Sequence, residues 1–98
     1  MSLSAESIVV VTNRQVSCDL GGEAAILSIN SGVYYGLDEI GALIWNLIQV
    51  PQRVTAIREA VVREYEVEPA RCERDVISIL EKLLAERLIE VKGISTAL

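Results

Sequence analysis

The sequence predicts an α+β domain: a three-stranded antiparallel β-meander followed by three helices, an order like that of winged-helix proteins. Two tight-turn signals and one change of apolar period predict it. Gly21-Gly22 separates "QVSCDL" from "EAAILSI", and "NSG" at 30–32 leads into "VYYGL" at 33–37. Paired glycines tolerate the positive φ that a two-residue hairpin requires. From Asp38 onward the apolar residues recur at three- and four-residue intervals, the period of a helix. Strands gathered ahead of helices imply a sheet that packs one face on them.

The chain of 98 residues is read as one domain, 1–98, since a second core would have too little chain to fill it. Residues 1–6 are small and polar and are expected to be frayed and disordered. "SIVVV" is read as a short strand or an extended lead-in. Ala25, Leu27 and Ile29 alternate with Ala24, Ile26 and Ser28, as in a half-buried strand. Asp38 suits the N-cap of a first helix whose stripe is Ile40, Leu43, Ile44, Leu47 and Ile48, and Pro51 stops it. A second helix spans about Val54 to Tyr65, with Val54, Ile57, Val61 and Tyr65 on one side; Arg53 is a poor cap for it. Pro69 fits the first turn of a third helix ending near Arg87, with Cys72, Val76, Ile79, Leu80 and Leu83 as its stripe. "LIEVKG" closes the chain as a short extended piece.

Composition narrows the chemistry. A net charge of −5 repels nucleic acid and anionic lipid. Histidine is absent, which removes the usual general base, the His-dependent nucleophile systems and the commonest zinc ligand. Cys18 and Cys72 form no metal or redox motif and are read as buried free thiols. No catalytic residue, metal or cofactor is expected. The apolar runs are far too short to span a bilayer and no secretory series opens the chain, so the expected location is cytoplasmic, away from the membrane.

Each notable cluster has a plain structural reading. Glu64/Glu66 and Glu73/Asp75 fall on outer helix faces, and Trp45 is assigned to the core. A DNA-reading third helix would need a basic face, but Arg71, Arg74, Lys82 and Arg87 are interrupted by Glu73, Asp75, Glu81 and Glu86. The strand at 33–37 is different. It closes the meander as an edge and carries no Lys or Pro, two of the devices that usually blunt edges. Such a strand suits β-addition of an extended peptide, or self-pairing into a homodimer. The residues alone leave open whether "IVVV" or the C-terminal "IEV" covers it.

"ILSINSGVYYGLDEIGALIWNLI" followed by "VTAIREAVVREYEVEPARCERDVISILEKLLAERLI" resembles the PqqD-like family, also called RiPP recognition elements, over roughly residues 16 to 91. The most specific parts are "SGVYYGLDEIGALIW", the "REYEVEP" link, and "DVISIL" with "RLI". The resemblance implies a non-catalytic protein that binds the leader segment of a ribosomally made precursor peptide. In the family the leader adds to the third strand of the meander and lies between it and the third helix. "NSGVYYGLDEIG", in place of a Pro-Glu-Gly turn, is more similar to the stand-alone proteins of lasso-peptide clusters. That branch implies a precursor leader and a transglutaminase-like leader-cleaving cysteine protease as partners. Arg87 stands where the family commonly has glycine, and Ile79 where an aromatic is common.

Helical spacing offers two flanks of the third helix for the groove: Glu73, Ile77 and Leu84, or Arg71, Asp75, Ser78 and Lys82 with Ile79 at the border. Spacing does not choose between them. The family motif, matched by Asp75-Val76 and by Ile79 one turn later, implies the second. The expected peptide-binding residues are Val33, Tyr34, Tyr35, Gly36, Leu37, Arg71, Asp75, Ser78, Ile79 and Lys82. Ile79 and Leu83 are expected to accept an apolar leader side chain.

Overall fold

A computed structural model describes residues 3–94. The elements in chain order are β1 (Ser7–Val11), β2 (Gln15–Asp19), β3 (Ala24–Ser28), β4 (Tyr34–Leu37), α1 (Glu39–Leu47), β5 (Gln52–Arg53), α2 (Val54–Tyr65), α3 (Pro69–Ala85) and β6 (Ile89–Ile94). The expected meander is the sheet β2-β3-β4. Gly21 and Gly22 both adopt positive φ at its first turn, as does Gly32 at its second. The third helix ends two residues earlier than expected.

A second antiparallel sheet, ordered β5-β1-β6, goes beyond the expected architecture. The two segments left open as covers for β4 pair with each other instead: Val9 stands opposite Val91 and Val11 opposite Ile89. Among the described residues β4 pairs only with β3, and its other side is an open edge.

Residues 3–6 do not fray as expected; Met1 and Ser2 lie outside the described residues. Leu3 is buried in the core. The Thr55 N–H donates to the Ala5 carbonyl at 3.1 Å. Arg53, as N-cap of α2, makes no side-chain capping bond, so the N-terminal segment satisfies an amide that a Ser or Asp would otherwise take. Short polar sequence signalled disorder, but a helix end lacking a cap created a use for it.

The core lies between the two sheets and the helices. Ile26, Ile44, Trp45, Ile48, Ile57, Leu80 and Leu88 are almost completely buried, each such aliphatic contributing about 1.5–3 kcal/mol. The helical stripes predicted above supply most of it. α1 starts immediately after β4 because the Asp38 carboxylate accepts the Gly41 N–H at 2.9 Å. A Cβ on Gly41 would lie 3.2 Å from Leu37 Cβ, so glycine allows α1 to sit tightly against the end of β4. α3 ends in a Schellman motif: Leu88 N–H donates to the Leu83 carbonyl and Arg87 N–H to that of Leu84, both at 3.0 Å. Arg87 occupies the left-handed position with φ 60°, which glycine fills most easily. The helix exits correctly despite the substitution, and Leu83 and Leu88 join the core beneath it.

Candidate peptide-binding cleft

The ladder fixes which backbone groups of β4 are free. Register pairs Leu27 with Tyr34, Ile26 with Tyr35, Ala25 with Gly36 and Ala24 with Leu37. The Ser28 N–H donates to the Val33 carbonyl at 3.0 Å. Bonded and non-bonded pairs alternate in an antiparallel ladder. Val33, Tyr35 and Leu37 therefore turn their backbone groups toward β3, while Tyr34 and Gly36 turn N–H and C=O to the open side.

The side chains follow the opposite faces. Tyr35 and Leu37 stand opposite the buried Ile26 and Ala24 and pack against the core. Tyr34 projects from the other face and is 72% exposed. Val33 precedes β4 and is exposed in the turn.

A cleft of about 480 Å³ separates β4 from α3, lined by Tyr35, Gly36, Leu37, Ile79, Lys82, Leu83, Ala85, Glu86 and Leu88. Its walls are chiefly apolar. A strand added about 4.8 Å beyond β4 would direct alternate side chains into it. Lys82 is exposed at its rim, with no ion-pair partner among the described residues. The Tyr35 hydroxyl donates to the Glu86 carboxylate, tying β4 to the last turn of α3. That hydrogen bond, together with desolvation and the nearby negative charge, pushes the Tyr35 phenol above its usual pKa.

A second hollow of about 440 Å³ continues along α3, bounded by Ile40, Val61, Val67, Glu68, Arg71, Cys72, Asp75, Val76 and Ile79. Ile79 belongs to both hollows and forms the saddle between them. Arg71 and Asp75 face each other there at 3.9 Å. Of the flank carrying Arg71, Asp75, Ile79 and Lys82, Ile79 and Lys82 line the cleft beside β4, whereas Arg71 and Asp75 border the second hollow, beside α1 and α2. Ser78 is exposed and lines neither hollow. Glu86 was missed by the sequence reading, although it follows Lys82 by one helical turn on the same flank.

Cys72 is buried and burial pushes its thiol pKa up. Cys18, expected to be buried, is exposed, because its register partner Ala25 places both on the sheet face turned away from the helices. Neither is in a disulfide. Among the described residues no group of acidic and cysteine side chains is arranged to hold a metal, and no helix is long and apolar enough to cross a membrane.

This arrangement has counterparts among solved structures. TbiB1 in complex with the TbiA(beta) leader peptide is 30% identical, with 89% of this chain and 99% of that one covered and a TM-score of 0.76. A lasso peptide synthetase B1 complexed with the leader peptide is 21% identical, covering 84% and 96%, with a TM-score of 0.74. The PqqD truncation of Methylobacterium extorquens PqqCD, a stand-alone RiPP recognition element, is 18% identical, covering 91% and 95%, with a TM-score of 0.73. The last two similarities show the fold alone. Comparison with curated proteins gives no match. Residues 23–89, more than half of the chain, match the family of coenzyme PQQ synthesis protein D, and the chain belongs to this PqqD family.

Proposed function

We propose that this protein binds the leader segment of a ribosomally synthesised precursor peptide and performs no chemistry on it. The leader adds as a strand to β4, bonding to the outward N–H and C=O groups of Tyr34 and Gly36. Alternate side chains enter the cleft, where Ile79 and Leu83 take an apolar group and Lys82 a carboxylate. Arg71 and Asp75 border the continuation of the groove. The observation that carries this reading is the coincidence of an unpaired, uncharged edge with an apolar cleft on the adjoining helix. Main-chain bonds supply adhesion and the cleft supplies selectivity.

The protein then delivers the leader to a transglutaminase-like cysteine protease of a lasso-peptide pathway. The 30% identity to a leader-bound TbiB1 supports leader binding, and the likeness of "NSGVYYGLDEIG" to the stand-alone proteins of lasso-peptide clusters supports this branch. The PqqD family match supports a second reading, a peptide chaperone for a radical SAM enzyme. Titration with the candidate leader, followed by amide NMR, is expected to move residues 33–38 first; shifts confined to another surface would contradict the reading. Leader-dependent capture of the protease, or of the radical SAM enzyme instead, separates the two branches.

A further inference from the structure

The β2-β3-β4 sheet has an outward face whose pattern follows from register. Val16 stands opposite Leu27 and Leu27 opposite Tyr34; one pleat away, Cys18 stands opposite Ala25 and Ala25 opposite Gly36. Directly opposed residues share a face. A ridge of large apolar side chains therefore lies beside a channel of small ones. The ridge is open to solvent, with Val16 59% and Tyr34 72% exposed. The ladder continues past the ridge through the Ile29 N–H bond to the Arg14 carbonyl, and past the channel through the Leu20 N–H bond to Glu23. Arg14 and Ile29 thus border one end of the face, and Leu20 and Glu23 the other.

Gly36 has no reason within its own chain. Its φ is not in the left-handed region, and a Cβ there would meet nothing within 4 Å. Glycine weakens a strand interior, and its presence there fits the close approach of another chain. A leader added in the plane of the sheet would not contact a Cβ on this face.

We propose that a second copy of this protein covers this face about a two-fold axis running across the strands, between ridge and channel. Such an axis inverts position along the strands while keeping β2 over β2, β3 over β3 and β4 over β4. The ridge of each copy then seats in the channel of the other, with Tyr34 above the bare Gly36. The two sheets lie about 10 Å apart, as in aligned sheet packing. The same axis brings Arg14 of each copy diagonally beside Glu23 of the other. Neither residue has an ion-pair partner among the described residues. A cation at one border and an anion at the other are what this symmetry makes complementary. The face is small, so the dimer is weak and reversible. It leaves the outward groups of β4 and the cleft on α3 uncovered, so this inference and the leader reading stand or fall separately.

Sedimentation velocity across concentrations tests it. The wild-type protein should pass from monomer to dimer below about 1 mM. Val16→Lys should raise the dissociation constant at least roughly 100-fold by burying a lysine without a partner. Cys18→Leu should raise it roughly tenfold by filling the channel. Arg14→Glu should weaken the dimer, and adding Glu23→Arg should restore it. Circular dichroism, melting and leader affinity should be unchanged in Val16→Lys and Cys18→Leu, whose sites are exposed and away from β4. A chain that stays monomeric throughout overturns the proposal. So does a dimer that survives both Val16→Lys and Cys18→Leu, or a charge swap that fails to restore association.

Discussion

The Tyr35 hydroxyl donates a hydrogen bond to the Glu86 carboxylate, joining β4 to the C-terminal turn of α3 at the wall of the cleft. The two residues are 51 positions apart, and the bond links the edge strand to the helix across one end of the cleft. It also raises the Tyr35 pKa, because the charged acceptor favours the protonated phenol. A raised folded-state pKa means that this contribution to stability is fully present below the ordinary tyrosine pKa, about 10. It is lost as pH rises through the higher folded value. Burial also raises the Tyr65 pKa, so ultraviolet titration of tyrosinate should show two late-titrating tyrosines. Tyr35→Phe should remove one and leave the other, and Glu86→Gln should move only the Tyr35 component toward lower pH.

Proline placed along β4 distinguishes inward from outward amides. Gly36→Pro removes an N–H that points to the open side, and edges tolerate proline there. The protein should stay folded while leader affinity falls roughly tenfold or more. Tyr35→Pro removes an amide bonded to β3 and should unfold the sheet. Calorimetric leader titration and circular dichroism check the pair.

Ile79 forms the saddle between the two hollows. Ile79→Ala should reduce leader affinity roughly tenfold by removing the apolar wall. Its half-buried position predicts a stability loss of only about 1–2 kcal/mol. Lys82→Glu should leave stability nearly unchanged and weaken a leader that carries an acidic residue, more strongly at low salt. Affinity measured at two ionic strengths reads both effects.

Arg87 holds the left-handed position that closes α3. Because an L-residue is disfavoured there by about 1–2 kcal/mol, Arg87→Gly should stabilise the protein by about 1 kcal/mol. Urea unfolding should show a higher midpoint with an unchanged slope. A lower midpoint would mean that the arginine side chain contributes more than its backbone conformation costs.

Thiol labelling separates the cysteines. In the native protein Cys18 should react with a disulfide reagent while Cys72 stays protected, since burial shields it and raises its pKa. Both should react after unfolding, and the count of labelled thiols checks it.

Much of this was legible in the residues because the signals are local. Gly21-Gly22 and the turn ending at Gly32 set the meander, the apolar stripes set three helices, and Asp38 capped the first as expected. What stayed hidden depends on distant partners. The pairing of β1 with β6 joins segments some 80 positions apart, so no window of sequence told whether either would cover β4. Leu3–Glu6 looked like a frayed tail, but burial of Leu3 in the core and the bond from the uncapped start of α2 to Ala5, both set by distant elements, account for their order. Cys18 was misplaced because its neighbours alternate without strong polarity, leaving the face of β2 undetermined until register with Ala25 set it. Which flank of α3 meets β4 depends on packing between elements, and helical spacing alone offers both flanks equally. Glu86 joins the cleft through a tyrosine on another element, a pairing that no motif announces.

Residue-resolved amide hydrogen exchange, with and without the leader, tests the account most directly. In the free protein Tyr34 and Gly36 should exchange rapidly while Tyr35 and Leu37, bonded to β3, are protected; adding leader should slow Tyr34 and Gly36 specifically. Amides at 34 and 36 that are already protected in the free protein, or that keep exchanging at the same rate with the leader bound, would contradict addition of a strand to β4.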